Sequence, residues 1–399
     1  MTSALPSILT INGGSSSIRF AIYEAGDPPG RRLSGKLDRI GLKGTSLIVH
    51  DGDPRPSSVR LEASNHRSAV VALLDWLETQ PPFPSVRAVG HRVVHGMTHA
   101  APEPVTPKLL AELRRITPYA PEHLPREIAL IETIRRRHPA LPQVACFDTA
   151  FHRALPRVAK LLPIPRRFAT KGIECHGFHG LSYTYLIEEL RRLDPSAAAG
   201  RVILAHLGSG ASLAAVRDGR SLDTSMGFTP TSGLVMSTRT GDVDPGLVYY
   251  LARADRMSAA RFQRMVNDES GLLGVSGTSS DVRDLLAREA SDPRAADAVA
   301  LFCYQAKKWI GGFAAVLGGL DALVFSAGIG ENAPDIRARI CDGLDFLGVE
   351  LDDRRNAKNA PLISRDGGRV SVRIIRTDEE RMIATSVARL LELGPTGST

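Results

Sequence analysis

The segment Ile8-Leu-Thr-Ile-Asn-Gly-Gly-Ser-Ser-Ser-Ile-Arg-Phe-Ala-Ile-Tyr23 places a turn rich in glycine and serine between two short apolar runs. This pattern is typical of a β-hairpin, and it predicts strands at 8–11 and 18–23 with the turn at 12–17. Glycine lets the backbone approach a ligand closely, and the amides and hydroxyls of the turn can donate hydrogen bonds to phosphate oxygens. The segment therefore predicts a hairpin whose turn can bind a phosphate group.

The same design recurs in the second half of the chain, in Arg201-Val-Ile-Leu-Ala-His-Leu-Gly-Ser-Gly-Ala-Ser-Leu-Ala-Ala-Val216. An apolar strand again leads into a Gly/Ser turn and an apolar return, followed by a second turn at Asp218-Gly219. Such a repeat indicates two related domains that each open with a hairpin. A single Gly/Ser turn is weak evidence for phosphate binding, but two in equivalent settings are much stronger evidence.

Apolar segments and helical patterns alternate along the rest of the chain, which indicates an α/β protein. Buried strands are predicted at 86–94, 142–147 and 322–326. A long helix is predicted over 295–317, because apolar residues recur there at spacings of three and four. Its buried stripe is expected to consist of Val299, Phe302, Ala306, Trp309, Phe313 and Val316. We expect a loop at 327–332, whose amides would face an anion or a nucleotide.

Composition restricts the class of protein. The 399 residues are 43% hydrophobic and 23% charged, which fits a globular chain, and this length suggests two or three domains. The sequence contains neither an apolar run long enough to span a membrane nor a secretory signal pattern, and its four cysteines form no C-x-x-C pair. The net charge of +7 is dispersed and aromatic residues make up only 5%, so a phosphorylated small molecule is a better partner than nucleic acid. We therefore expect a cytoplasmic protein without membrane or nucleic-acid partners.

Four side chains that could carry chemistry stand at or near the ends of apolar segments. They are Arg92, Asp148, His179 and Arg239. Two arginines suit the recognition of anions, because a guanidinium group can donate two parallel hydrogen bonds to a carboxylate or phosphate. For each of the four residues, a salt bridge or a cap at a strand end is an equally good explanation.

Other familiar sites are not favoured by the sequence. Neither the Walker pattern nor a G-x-G-x-x-G fingerprint after a first strand is present. A zinc site built from His91, His95, His176 and His179 would need a spacing that the pattern does not provide. The segment His91-x-x-x-His95 follows a strand pattern, in which residues four apart are separated by about 13 Å, and it lacks the Glu of H-E-x-x-H.

Several further motifs make a resemblance to a known family specific. In chain order they are Ile11-Asn-Gly-Gly-Ser-Ser-Ser17, Gly90-His-Arg-Val-Val-His-Gly96, Phe147-Asp-Thr-Ala-Phe-His152, Gly177-Phe-His-Gly180, Thr224-Ser-Met-Gly-Phe-Thr-Pro230, Gly271-Leu-Leu-Gly-Val-Ser-Gly277, Ala327-Gly-Ile-Gly-Glu-Asn332 and Thr377-Asp-Glu-Glu380. With these motifs the sequence resembles the acetate kinase family, which includes acetate and propionate kinases and lies within the actin, sugar-kinase and Hsp70 superfamily. They span almost the whole chain in the family's order.

The resemblance implies an α/β fold of two ribonuclease-H-like (actin-like ATPase) domains flanking a central cleft, and a homodimer. The N-terminal domain would comprise 1–149 plus 380–399, with the C-terminal helix returning to it. The nucleotide-binding C-terminal domain would comprise 150–379. The implied activity is reversible, magnesium-dependent transfer of the ATP γ-phosphate to acetate or propionate, which gives an acyl phosphate and ADP.

The resemblance also implies the site residues. Its catalytic positions match Arg92, Asp148, His179 and Arg239. Its carboxylate-binding positions match Arg92, Val94, Glu122, Phe178 and Pro230. Its ATP-binding positions match Ser15, Ser17, Arg19, His206, Leu207, Gly208, Ser209, Gly210, Asp281, Val282, Arg283, Gly328, Ile329, Gly330 and Asn332. Its metal positions match Asn12 and Glu379, which would bind Mg²⁺, with Mn²⁺ as a substitute ion.

The residue types agree with direct in-line transfer. An acceptor carboxylate with a pKa of about 4 is already ionised at neutral pH, so no general base is required. The reaction instead needs positive groups that cancel the repulsion between two anions and align them. A sugar or polyol kinase of the same superfamily would need an aspartate base for a hydroxyl group, and two arginines fit an anionic acceptor better.

Four positions depart from the family pattern. Arg19 stands where many members have lysine, Ser209 replaces an asparagine, and Met97 replaces the second glycine of His-Gly-Gly. Glu122 replaces the leucine that lines the methyl pocket, where an ionised carboxylate would repel the substrate. Either Glu122 turns outward, or it recognises a polar substituent on another acid, or the chain is a weakly active ATP-binding paralogue.

Overall fold

The computed structural model describes residues 5–14, 17–40, 45–50, 57–61, 63 and 65–394 of the chain. The chain divides into two compact units: unit 1 comprises Met1–Ala150 with Asp378–Thr399, and unit 2 comprises Phe151–Thr377. Each unit contains one mixed β-sheet. Within the described ranges, no helix combines the length and the apolar character that crossing a membrane requires.

The sheet of unit 1 has eight strands among the described residues, in the order β5-β4-β3-β2-β1-β6-β8-β7. Its strands are β1 (Ser7–Gly13), β2 (Ile18–Glu24), β3 (Gly30–Asp38), β4 (Ser46–His50), β5 (Ser57–Arg60), β6 (Val86–Val93), β7 (Glu103–Pro104) and β8 (Gln143–Phe147). Its helices are α1 (His66–Glu78), α2 (Pro107–Arg115), α3 (Leu124–Arg137) and α15 (Glu379–Leu390).

The predicted hairpin is present as the antiparallel pair β1 and β2. Its first strand is longer than expected, because Asn12 and Gly13 continue the ladder, with Asn12 opposite Arg19. Strands β6 and β8 continue the sheet in parallel with β1. Because the carboxyl ends of parallel neighbours meet at one edge of a sheet, the residues that end β1, β6 and β8 are neighbours.

Helices cover both faces of this sheet. Helices α1 and α3 share a hydrophobic cluster with alternate residues of the strands, including Val89 of β6. The next residue, Gly90, points to the opposite face, where α15 packs. A Cβ atom on Gly90 would lie 2.4 Å from Ile383 Cγ2 and 2.7 Å from Val387 Cγ2. The close approach of α15 therefore depends on glycine at this position.

Unit 2 has a five-stranded sheet in the order β11-β10-β9-β12-β13. Its strands are β9 (Arg201–Leu207), β10 (Ala211–Arg217), β11 (Arg220–Thr224), β12 (Ala322–Ser326) and β13 (Ser371–Ile374). Its helices are α4 (Arg157–Lys160), α5 (Gly180–Leu193), α6 (Pro195–Ala199), α7 (Gly246–Ala254), α8 (Ala259–Asp268), α9 (Gly271–Ser276), α10 (Val282–Arg288), α11 (Pro293–Leu317), α12 (Ala327–Asn332), α13 (Pro334–Cys341) and α14 (Asp353–Ala357).

The two sheets repeat one topology. In unit 2, β11, β10 and β9 are antiparallel, and β12 and β13 follow in parallel with β9. The strands β3-β2-β1-β6-β8 of unit 1 have the same order and the same directions. The internal repeat read from the two hairpin sequences is therefore a repeat of the fold.

Two local predictions were wrong. Residues 327–332 form the short helix α12 rather than a loop, and the helix begins at Ala327 with a φ of 63°. In α11, Val316 is exposed and Trp309 is half-buried, while Ile310 and Leu317 take the buried positions. The predicted stripe alternated spacings of three and four, but a helix turns once in 3.6 residues, so the buried face drifts forward by one position.

Candidate active site

The end of the parallel strands in unit 1 carries an ion pair. Arg92 is the next-to-last residue of β6, and Asp148 follows β8 directly. The Arg92 Nε and Nη2 atoms donate to the same oxygen, Asp148 Oδ2, at 2.9 and 2.5 Å. Asp148 is fully buried, and the Arg92 side chain is 13% exposed. Although burial opposes its charge, the carboxylates of Asp148 and Glu379 raise the pKa of Arg92, so this guanidinium stays cationic.

Asn12 connects this ion pair to the acidic start of α15. Its Nδ2 donates to Glu379 Oε2 at 2.8 Å and to Glu380 Oε1 at 3.1 Å, while its Oδ1 accepts from Arg92 Nη1 at 3.4 Å. Burial, and then the charge of Glu379, raise the pKa of Glu380. Arginine, amide and carboxylate thus form one connected polar cluster at the end of β1 and β6.

The side chains at the predicted metal positions fit a magnesium site that they share with other ligands. Carboxylate and amide oxygens are the ligands that Mg²⁺ prefers, and it binds few protein groups because phosphates and waters complete its octahedron. Asn12 and Glu379 bring two oxygen-bearing side chains together beside Glu380. Among the described residues, no three His, Cys, Asp or Glu side chains form a complete cage. The set fits an ion that also needs a phosphate ligand.

A second buried acid, Glu127, was missed by the sequence analysis. It lies on α3, is 5% exposed, and its Oε2 accepts a hydrogen bond from the Val94 backbone at 3.1 Å. Burial raises the pKa of Glu127 to about 8, although the charge of Arg92 opposes the shift. At neutral pH this carboxyl is therefore largely protonated. The apolar spacing of Leu124, Ile131 and Ile134 could have revealed it, because Glu127 occupies the stripe between them.

The four departures from the family pattern have separate outcomes. Glu122 is exposed on unit 1, before α3 begins, which favours the outward orientation. Met97 has a φ of 50°, in the left-handed region that suits glycine better. Arg19 and Ser209 are both exposed. Ser15 lies outside the described residues.

In unit 2, His179 stands at the start of α5 with a φ of 60°. Its Nδ1 is 2.8 Å from Ser212 Oγ on β10. The preceding residue, Phe178, is buried, and its carbonyl accepts a hydrogen bond at 3.1 Å from His152 Nε2. His152 is a buried ring whose pKa is lowered to about 4 by burial, so it is neutral and holds the main chain that leads into His179.

His179 and Arg239 converge on the second predicted phosphate turn. A Cβ atom on Gly210 would lie 3.3 Å from His179 Nε2 and 3.6 Å from Arg239 Nη1. Arg239 Nη1 also donates to the Pro230 carbonyl at 3.1 Å. The His206 ring stacks on His179 with a centroid distance of 4.2 Å. The structure therefore brings His179 and Arg239 together beside Gly210, and Pro230 and His206 each contact one of these two side chains.

The remaining predicted nucleotide positions have mixed surroundings. Leu207 and Val282 are buried in the core, so only their main chain is available to a ligand. Asp281 caps α10 and pairs with the exposed Arg283, with Arg283 Nη2 to Asp281 Oδ2 at 2.6 Å. The predicted positions on α12 are Gly328, Ile329, Gly330 and Asn332. Arg337, which is fully buried, donates to the Gly330 carbonyl at 2.9 Å and holds this segment in place.

Comparisons with known proteins agree on one family. A family model described as the Acetokinase family matches residues 7–385. The chain is 45% identical over 395 residues to an acetate kinase of Rhodopseudomonas palustris, covering 97% of this chain and 99% of that protein. It is 41% identical over 391 residues to a propionate kinase of Citrobacter rodentium, covering 96% of each.

Solved structures agree as well. A crystal structure of Porphyromonas gingivalis acetate kinase superposes with a TM-score of 0.87 at 33% identity, covering 97% of this chain and all of that one. A propionate kinase from Francisella tularensis superposes with a TM-score of 0.89 at 34% identity, covering 96% and 99%. The repeated sheets and these neighbours define a two-domain actin-like ATPase fold. The chain belongs to the Acetokinase family, and it is a carboxylate kinase. Membership implies ATP or ADP as a substrate, and a divalent metal ion.

Proposed function

We propose that this chain transfers the γ-phosphate of ATP reversibly to acetate, with propionate as a related acceptor, and forms an acyl phosphate and ADP by direct in-line transfer. The observation that carries this proposal is Arg92, a guanidinium that a fully buried Asp148 holds in place and keeps cationic. A fixed cation is what an anionic acceptor needs, and a general base is not, because the acceptor is already ionised.

We propose separate roles for the residues at the two sheets. Arg92 binds the acceptor carboxylate, and Asp148 orients Arg92 rather than abstracting a proton. His179 and Arg239 donate hydrogen bonds to the phosphoryl group in transfer, which is supported by their convergence on Gly210. Fixed donors aimed at developing charge are worth about two to three orders of magnitude in rate each.

Asn12 and Glu379 are proposed to hold Mg²⁺, with Mn²⁺ as a substitute. When bound, the ion neutralises phosphate charge. For this chain's own residues, the proposal predicts that Asn12 must release part of its hydrogen bonding to Glu379, because its amide nitrogen, not its oxygen, faces the carboxylate. If the Asn12 amide rotated, its Oδ1 would lie on the same side as the Glu379 carboxylate, and both residues could then offer an oxygen to the ion.

The apolar end of the acceptor is proposed to contact Val94, Phe178 and Pro230. Val94 and Phe178 are buried and Pro230 is half-buried. Apolar side chains at these three positions would suit a methyl or ethyl group on the acceptor. The exposure of Glu122 supports acetate or propionate over an acid with a polar substituent.

We propose that 150–379 is the nucleotide-binding domain and that 1–149 with 380–399 is the N-terminal actin-like domain, which contributes Arg92 and Val94 to acceptor binding. The nucleotide would contact His206–Ser212, Asp281-Val-Arg283 and Gly328–Asn332 of α12. Ser15, Ser17 and Arg19 of the first hairpin complete the proposed ATP-binding set. The free, buried state of all four cysteines supports a cytoplasmic location.

A homodimer is the proposed assembly, and α7 offers support for it. No residue of α7 is buried, and Val248, Tyr249 and Tyr250 are 44%, 70% and 64% exposed. Exposed aromatic side chains on one helix are typical of a surface that a partner covers. Light scattering at micromolar concentration should give twice the mass of the chain, and a Tyr249→Glu/Tyr250→Glu variant should give the mass of one.

Hydroxamate trapping of the acyl phosphate tests the function. With ATP and Mg²⁺, we expect product with acetate and propionate, and much less with butyrate or with hydroxy acids. If product forms only with a polar acid, that acid and not acetate is the acceptor. No product with any acid, while ATP still binds, would support a weakly active ATP-binding paralogue instead.

A further inference from the structure

His179 is the end of a buried chain of three polar groups. Its Nδ1 is 2.8 Å from Ser212 Oγ, and Ser212 Oγ is 2.5 Å from the hydroxyl of Tyr183. Ser212 and Tyr183 are both fully buried. Neither side chain has another hydrogen bond in the part of the chain that the structure describes. The hydroxyl hydrogens of Ser212 and Tyr183 must therefore find their acceptors within these two contacts.

Counting hydrogens shows which arrangement satisfies all three groups. If Tyr183 donates to Ser212 and Ser212 donates to His179 Nδ1, every hydroxyl hydrogen has an acceptor. If Nδ1 carries a hydrogen, the chain must run the other way or Ser212 must accept twice. Then the hydrogen of Tyr183 or of Ser212 is buried without an acceptor, which is unfavourable because the group loses its hydrogen bond to water and gains none in return.

The protonation of Tyr183 agrees with this direction. Burial raises the pKa of the Tyr183 phenol, so the hydroxyl keeps its hydrogen and acts as a donor. Because Nδ1 then accepts, the single hydrogen of a neutral imidazole resides on Nε2. That atom faces Gly210, since a Cβ atom there would lie 3.3 Å from it.

We propose that Tyr183 and Ser212 are positioning residues that hold His179 as the neutral Nε2–H tautomer and aim this donor at the transferred phosphoryl group beside Gly210. The tautomer follows from the hydrogen-bond geometry alone, whereas the target of the donor rests on the proposed function. His179 then contributes direction rather than charge, and Arg239 supplies the positive charge at the same glycine.

The neighbouring ring, His206, provides an internal comparison. Its Nδ1 is 2.8 Å from Ser182 Oγ, which is 2.8 Å from Thr377 Oγ1. This second chain ends at Thr377, which is half-buried and can pass its hydrogen to water. Hydrogen counting therefore fixes the tautomer of His179 but not that of His206. The stacking of the two rings at 4.2 Å also disfavours two simultaneous cations.

The direct test is the nitrogen spectrum of ¹⁵N-histidine-labelled, full-length protein without substrates. Long-range proton–nitrogen correlations distinguish the two neutral tautomers and the cation, and a His179→Gln variant assigns the signals. At neutral pH we expect a protonated Nε2 and an unprotonated, hydrogen-bonded Nδ1. A protonated Nδ1, either in the other tautomer or in the cation, would overturn the proposal.

Ser212→Ala removes the donor to Nδ1, and Ser221→Ala is the matched control. Ser221 is equally buried and bonds Nδ1 of a different histidine, His152, at 2.8 Å. In Ser212→Ala we expect the Nδ1 signal of His179 to shift and kcat to fall about tenfold, with KM for ATP within about twofold. Ser221→Ala should leave the His179 signals in place.

Tyr183→Phe keeps the test decisive if Ser212→Ala fails to fold. It removes only the first donor, so the Nδ1 signal should shift in the same direction by less. An unchanged Nδ1 signal in the variants, or a shifted signal with unchanged kcat, would contradict the positioning role. Because the spectrum needs no substrate, its outcome is independent of the hydroxamate assay for the proposed function.

Discussion

The two units repeat one sheet, yet they carry opposite kinds of polar cluster. At the end of β1 and β6, unit 1 places an arginine, an amide and three carboxylates that bond to one another. At β9 and β10, the counterparts of β1 and β2, unit 2 places imidazoles that are bonded to hydroxyl groups. The same sheet topology therefore supports a cluster of charged groups in unit 1. In unit 2 it supports a cluster that consists mainly of oriented hydrogen bonds between hydroxyl groups and imidazoles.

The difference has energetic consequences. A buried charge is stable only while its partner is present, so the unit 1 cluster should be costly to break. A hydroxyl–imidazole chain involves smaller free energies, but it fixes where each hydrogen points. Mutations in unit 1 should therefore affect folding and catalysis together, whereas mutations in unit 2 should separate them.

Arg92→Ala should have the largest effect. Loss of the guanidinium should lower kcat by about 100- to 1,000-fold and cost about 3–5 kcal/mol of stability, because Asp148 would remain buried without its cation. Steady-state kinetics and denaturant unfolding measure the two losses. In the double variant Arg92→Ala/Asp148→Asn, stability should return while kcat stays low. Recovery of kcat as well would contradict the catalytic role.

Arg239→Ala should match that kinetic loss without the loss of stability. The Arg239 side chain bonds the Pro230 carbonyl, which is a neutral acceptor, so its removal strands no buried charge there. We expect a fall of about 100-fold in kcat and less than about 1 kcal/mol in unfolding free energy. A destabilisation as large as that of Arg92→Ala would remove the distinction between the two units.

Gly210→Ala should have an intermediate effect. The new methyl group would lie 3.3 Å from His179 Nε2, so this donor must shift by a few tenths of an ångström, whereas its 3.6 Å distance from Arg239 Nη1 is an ordinary contact. We expect kcat to fall about tenfold, by the sensitivity of transfer to small displacements. Gly208→Ala is the control and should cost less, because its methyl group would make only ordinary contacts, 3.4 Å from the Gly210 carbonyl oxygen and 3.9 Å from His206 Nε2. The opposite order would argue against convergence at Gly210.

Glu127→Gln should change how stability depends on pH. The pKa of Glu127 rises from 4.5 to about 8 on folding, so between these values the folded protein holds one more proton than the unfolded chain. Wild-type stability should therefore fall as pH rises through this window and level off above it. Glutamine keeps the acceptor for the Val94 amide but does not titrate. The Tm of the variant minus the Tm of the wild type should therefore increase from about pH 5 to about pH 8.

Glu122→Leu should have the smallest effect. Glu122 is exposed, so restoring the leucine of the family pattern should leave KM for acetate within about twofold. The variant Glu122→Gln also serves as the control for Glu127→Gln and should reproduce the wild-type pH dependence. A clear decrease in KM with Glu122→Leu would place this carboxylate at the acceptor after all.

The sequence predicted the parts of the fold that depend on local patterns. Both hairpins, the strands that carry Arg92 and Asp148, and the long helix α11 follow from apolar periodicity and turn residues. The short helix α12 was missed because Ala327-Gly-Ile-Gly reads as a loop, and its first residue adopts a backbone conformation that no local pattern announces. The sequence drew attention to Glu122, which differs from the family and is exposed, and it missed Glu127, which is buried.

The polar partners were harder to foresee. Ser212 and Tyr183 lie on different elements, one in a buried strand and one in the first turns of α5, and only tertiary folding brings their hydroxyls to His179. An isolated serine in an apolar strand carries no signal of its own. The roles of the individual site residues therefore stay predictions, and the variants described here test them.

The packing of α15 against Gly90 has a consequence for biosynthesis. The helix that covers this face of the first sheet follows all of unit 2 in the chain and is therefore translated after it. On the ribosome, residues 151–377 emerge as one continuous stretch and can fold as they appear. The sheet of unit 1 is translated earlier, but α15 can cover it only after unit 2 has emerged. A nascent chain stalled before residue 379 should therefore expose apolar surface on the older domain, and chaperones should bind there first.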